Sequence, residues 1–108
     1  MRIVFANPTP IEYTYDKKGD VLYLTFARQK ATRTLEILKD WPILLADLND
    51  QNEIIGLEYV GYKQFGIDTF KRLVLERLRT FGIELGEQES DSFVSFMHTP
   101  EAAVALSD

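Results

Sequence analysis

Ile11-Glu12-Tyr13-Thr14-Tyr15, Asp16-Lys17-Lys18-Gly19-Asp20 and Val21-Leu22-Tyr23-Leu24-Thr25-Phe26 follow one another without a break, and their reading decides the fold. In the first run, apolar Ile11, Tyr13 and Tyr15 alternate with polar Glu12 and Thr14, the period of a strand with one covered face. The third run is dense in β-branched and aromatic residues. The segment between them suits a three-residue hairpin loop that ends with Gly19 in the left-handed conformation. That register sets Tyr15 opposite Val21 and Tyr13 opposite Tyr23. Ile11, Tyr13, Tyr15, Val21, Tyr23 and Thr25 then share one face, and Leu22, Leu24 and Phe26 take the other. Both faces of the second strand want cover, which an isolated hairpin cannot supply.

Upstream, Arg2 to Ala6 reads as a short strand, and Asn7-Pro8-Thr9-Pro10 breaks any helix. Downstream, a polar, basic stretch from Arg28 to Arg33 leads to a weaker strand at Thr34 to Leu38. Trp41-Pro42 then precedes a strand at Ile43 to Leu48. Asn49-Asp50-Gln51-Asn52 has turn chemistry, and Glu53 to Val60 completes a second hairpin, in which Gly56 marks a bulge or a close approach. Phe70, Leu73, Val74, Leu78 and Phe81 recur at helical spacing, which predicts a helix from Asp68, its N-cap, to Phe81, closed by Gly82. Beyond it, Phe93 and Met97 suggest a last short strand within Ser92 to His98, and Thr99-Pro100-Glu101 the start of a brief terminal helix through Leu106.

Tyr15-Asp16, Asp20, Leu22-Tyr23-Leu24 and Phe26 resemble the opening signature of the bacterial family known as domain of unknown function 2283. Ile55-Gly56-Leu57-Glu58 looks like that family's closing signature. The resemblance covers Ile11 to Val60, and only Trp41-Pro42 departs from the acidic, glycine-containing turn it leads one to expect. It implies a small β-meander with a following helix, and it brings no activity with it.

The chain has 108 residues, 45% hydrophobic and 27% charged, as ordinary globular domains do. One domain over residues 1–108 is expected, with the meander at 11–60 and the helix and C-terminal extension at 61–108. With no cysteine and a single histidine, His98, disulfides, thiol nucleophiles and thiolate zinc sites are excluded, and a metal site would have only carboxylates to recruit. No cofactor is expected. The net charge of -5 repels phosphate backbones and disfavours sequence-independent binding to nucleic acid. The apolar run from Ile3 to Ala6 is too short for a signal peptide or a membrane span, so a cytoplasmic location is the default expectation.

Each candidate site competes with a plainer use of the same residues. Asp16 and Asp20 would face each other across the hairpin turn and could hold a hard cation or share a proton, but aspartates there usually bond to local backbone N–H groups. Glu58 interrupts an apolar strand and could act as a general acid or base, but that role needs a partner residue the sequence does not name, and an edge-facing or salt-bridged glutamate is the plainer reading. Asp47, Asn49, Asp50, Asn52 and Glu53 crowd oxygen atoms into one loop, yet the glycine and closing glutamate of a calcium loop are missing. His98 has no second histidine beside it. Lys71, Arg72, Arg77 and Arg79 give the helix a basic face, which is also the placement that a helix dipole favours. Tyr13, Tyr15 and Tyr23, with Ile11 and Val21, form an aromatic patch of the kind enriched at interfaces. It could equally be the second side of a packed core.

The expected fold is α+β: an antiparallel β-meander of about five strands with one main helix packed on one face, plus the short C-terminal strand and helix. The expected function is a non-enzymatic protein-interaction module, self-associating as a dimer or binding a small protein partner through the tyrosine patch. One alternative is a small hydrolase or small-molecule binder using Asp16, Asp20 or Glu58 beside the tyrosines. A further alternative is nucleic-acid contact through the basic helix.

Overall fold

The computed structural model describes residues 3–7, 9–40, 42–80 and 82. Its strands are β1 (Val4–Phe5), β2 (Glu12–Asp16), β3 (Val21–Thr25), β4 (Arg33–Leu38), β5 (Ile43–Leu48) and β6 (Glu53–Val60), followed by the helical segment α1 (Tyr62–Thr80). They form one six-stranded sheet in the order β2-β3-β6-β5-β4, with β1 paired to β6. β6 is its spine. One side of β6 pairs antiparallel with β5 along Ile54 to Val60. The other side carries β1, parallel, at Glu53 and Ile54, and then β3, antiparallel, from Gly56 to Val60.

This arrangement corrects the expected architecture in two respects. The fold is mostly antiparallel sheet with six strands. It is not a meander, because β6 inserts between β3 and β5 instead of adding at an edge. Nor is there a single main helix from Asp68 to Phe81 packed on the sheet. α1 begins at Tyr62 and falls into two short pieces at Gly66, whose φ of 85° and ψ of 167° are not helical. Asp68, read as the N-cap, lies inside α1 beyond that break. The early start has a cause distant in sequence. Gly61, at φ 101°, turns the chain out of β6, and the Asp20 carboxylate receives the N–H groups of Lys63 and Gln64 at 2.8 and 3.1 Å. An N-cap supplied from 43 residues away leaves no local signature.

At the other end of α1, Gly82 has φ 74°, and its N–H donates to the Arg79 carbonyl at 3.0 Å, the use expected of a C-terminal glycine. The strand expected around Phe93 and Met97, the terminal helix from Thr99, and His98 lie outside the described residues.

The core lies on one face of the sheet. Leu22, Leu24, Leu44, Ala46, Leu57 and Tyr59 are buried there, joined by Tyr62 and Phe70 from α1. The rings of Tyr59, Tyr62 and Phe70 form a compact cluster, with Tyr59 and Phe70 centroids 4.5 Å apart and Tyr62 and Phe70 5.7 Å apart. Burial of side chains of this size contributes roughly 1.5–3 kcal/mol each.

Candidate functional site

The first hairpin pairs one residue away from the expected register: Asp16 lies opposite Val21, Tyr15 opposite Leu22, Thr14 opposite Tyr23 and Tyr13 opposite Leu24. The residue with positive φ is Asp20, at 53°, and not Gly19. The turn is thus longer than a three-residue loop, and the slip moves the tyrosines of β2 to the other face. Tyr13 and Tyr15 pack beside the core, while Tyr23 points to the opposite face. The expected triad is therefore divided between the two faces.

Asp16 and Asp20 also part company. Asp16 accepts the N–H of Lys18 at 3.0 Å, an Asx turn on the exposed rim. Asp20 accepts the Tyr15 hydroxyl at 2.5 Å in addition to the two N–H groups of α1. Burial acts to raise its carboxyl pKa, but the bonds from Tyr15, Lys63 and Gln64 outweigh it and hold the group below the ordinary carboxylate value. Tyr15 is pushed up to about 12 by burial and by its bond to Asp20. Asp20 thus joins hairpin and helix by ordinary capping chemistry, and its oxygens are engaged in that role.

The outer face is best read as cross-strand rows. One row runs Asp16, Val21, Val60 and Ile43; the next runs Thr14, Tyr23, Glu58, Leu45 and Glu36; the third runs Glu12, Thr25, Gly56, Asp47 and Thr34. Tyr23 leaves its own row. A Cβ at Gly56 would overlap its hydroxyl and lie 2.5 Å from its Cζ, so the ring crosses β6 in the space that glycine leaves open. The Tyr23 hydroxyl then donates to Asp47 Oδ2 on β5 at 2.7 Å, and Thr34 Oγ1 on β4 donates to Asp47 Oδ1 at 2.6 Å. Burial first, and the bond to Asp47 second, raise the Tyr23 phenol far above its ordinary value.

This accounts for the glycine of Ile55-Gly56-Leu57-Glu58: close approach is its function. The register also shifts between Asp47 and Leu48, so that β5 skips Ile55, a bulge adjacent to the close approach. Glu58 sits half-buried between Tyr23 and Leu45. Val21, Tyr23, Ile43, Leu45 and Val60 are all half-buried as well, in contrast to the sealed residues of the core face.

The loop from Asn49 to Asn52 is a structured turn. Asn49 is buried; its Oδ1 accepts the N–H groups of Gln51 and Glu53, and its amide donates to Gln29 and Glu53. Among the described residues no group of three or more His, Asp or Glu is placed to hold a metal ion. On α1, Arg72 and Arg79 are exposed, and the side chains of Lys71 and Arg77 are outside what is described. Among the described residues no helix is long and apolar enough to cross a membrane.

Thr34 and Leu45 were not singled out by sequence reasoning, and Asp47 was read only as one of the oxygen-bearing residues of the Asp47 to Glu53 loop, not as the partner of Tyr23 and Thr34. The available signal was Gly56: a glycine inside a β-rich strand asks which side chain crosses it, and a tyrosine one strand away with an acid one strand beyond is an answer.

The geometry defines a small antiparallel-sheet protein with one sealed face and one half-exposed face organised by a tyrosine that bridges strands. The family model described as Protein of unknown function (DUF2283) matches residues 12–61, which are the five strands from β2 to β6 and the glycine that ends them. Over that span, just under half of the chain, the sequence is similar to this family. No curated protein and no solved structure matches the chain.

Proposed function

We propose that this chain is a non-enzymatic protein-interaction module that binds through the outer face of its sheet. One observation carries the reading: Val21, Tyr23, Ile43, Leu45 and Val60 occupy neighbouring positions on that face and remain half-exposed, a contiguous apolar surface of the kind that marks an interaction site. The catalytic alternative draws less support, because Asp20 is engaged in capping α1 and Asp16 in closing its turn. Glu58 lies on the other side of the sheet from Tyr13 and Tyr15.

The test combines capture from native host lysate with light scattering of the purified chain, each repeated with Leu45→Asp. A stoichiometric, nuclease-resistant partner or a stable dimer that the substitution removes supports the module. A monodisperse monomer with no partner overturns it. Loss of the partner on nuclease treatment would direct attention to Arg72 and Arg79 instead.

A further inference from the structure

We infer that the occupant of the outer face is a basic protein segment, with arginine set among aliphatic residues. This rests on the interaction-module reading and goes beyond it in naming the partner's chemistry. Every ionisable side chain that the three rows place on this face, tyrosine aside, is a carboxylate: Glu12, Asp16, Glu36, Asp47 and Glu58. No lysine or arginine occupies a position in those rows. Among the described residues, the ion pairs on this face are at its rims, where Arg28 meets Glu12 at 3.0 Å and Lys39 meets Glu36 at 3.7 Å. Pairs of that kind are weak.

Glu58 is the telling residue. It lies on the central strand, half-buried, between Tyr23 and Leu45, and its side chain makes no ion pair or hydrogen bond among the described residues. A carboxylate held partly out of water beside apolar neighbours gains most from a cation brought to it. A second copy of this face would bring carboxylates instead, and like charges oppose each other across a contact. Arginine suits the site better than lysine. Its flat, weakly hydrated guanidinium can pair with Glu58 through two parallel bonds and stack on the Tyr23 ring, while aliphatic neighbours cover Val21, Leu45 and Val60.

The experiment titrates the isotope-labelled full chain with two short peptides of equal length, valine alternating with arginine in one and with glutamate in the other, and follows the backbone amides by NMR. The arginine peptide is expected to shift Tyr23, Leu45 and Glu58. Its binding should weaken with added salt, and fall roughly tenfold in Glu58→Gln, as the loss of one charge pair implies. The spectrum itself reports whether each variant is folded. Equal binding of both peptides, or shifts confined to other residues, overturns the basic partner. If capture in the Leu45→Asp comparison still succeeds, the module stands with an occupant of different chemistry. Concentration-dependent shifts of the same amides in a dimerising chain also overturn the inference, in favour of a second copy. Failure of capture and dimerisation alike removes the module reading itself.

Discussion

The two faces of the sheet use tyrosine in opposite ways. On the core face, Tyr59 and Tyr62 are buried and their hydroxyls have no hydrogen-bond partner among the described residues. They are present for their rings, which pack on each other and on Phe70. On the outer face, Tyr23 is placed by its hydroxyl, which spans β6 to reach Asp47. Burial leads the causes that raise the phenol pKa of Tyr23, Tyr59 and Tyr62 alike, yet only Tyr23 has a partner that organises its surroundings. An aromatic residue in a strand can therefore mark either a core or a constructed surface, and the neighbouring glycine and acid distinguish the two.

The comparison breaks most visibly at paired leucine positions. Leu57→Ala, in the sealed core, is expected to cost about 2–5 kcal/mol, whereas Leu45→Ala, half-exposed on the next ladder position, should cost about 1 kcal/mol or less. Urea unfolding of the two variants measures this, and equal losses would mean that the outer face is as well covered as the inner one. Gly56→Ala comes next, at about 1–3 kcal/mol, because the new Cβ must displace the Tyr23 ring. Adding Tyr23→Ala removes the clash, so the double variant should lose less than the sum of the two single ones.

Asp20→Ala removes a cap and is expected to cost about 1–2 kcal/mol. Asp20→Asn keeps the capping geometry and removes the charge, which isolates the pH dependence. The folded carboxyl lies below its ordinary value, so its contribution is present above about pH 4 and is lost as pH falls through the folded value. The acid limb of a stability profile should flatten in Asp20→Asn. Tyr15 has the opposite sign: its phenol rises from 10.0 to about 12, so its contribution holds below the lower value and is lost as pH rises through the upper one. The smallest expected effects are those of Tyr59→Phe and Tyr62→Phe, within about 0.5 kcal/mol, because each deletes an unpartnered hydroxyl. Tyr23→Phe should cost about 1 kcal/mol.

All six strands were legible in the sequence to within a residue or two, because period-two alternation and turn residues are local signals. What was not legible depends on residues distant in the chain. The register of the first hairpin turned on whether Gly19 or Asp20 takes the left-handed conformation, and Asp20 does so while serving a helix that the turn's composition cannot reveal. The start of α1 was hidden for the same reason: Tyr62-Lys63-Gln64-Phe65 contains no cap of its own. Gly56 was correctly read as a close approach or bulge, but the side chain that crosses it could be named only once Tyr23 was known to face outward. The position of β6 between β3 and β5 is a matter of strand pairing, to which alternation is blind.

The central place of β6 has a consequence for synthesis. The hairpin of β2 and β3 and the pair β4 and β5 emerge from the ribosome before the strand that joins them, each with an inner edge of unsatisfied N–H and C=O groups. Until residues 53–60 are free to insert, those edges are templates for pairing with other chains. A chain interrupted before Glu53 should therefore aggregate as two separate ribbons, and sheet formation should proceed as a late, all-or-none closure about β6.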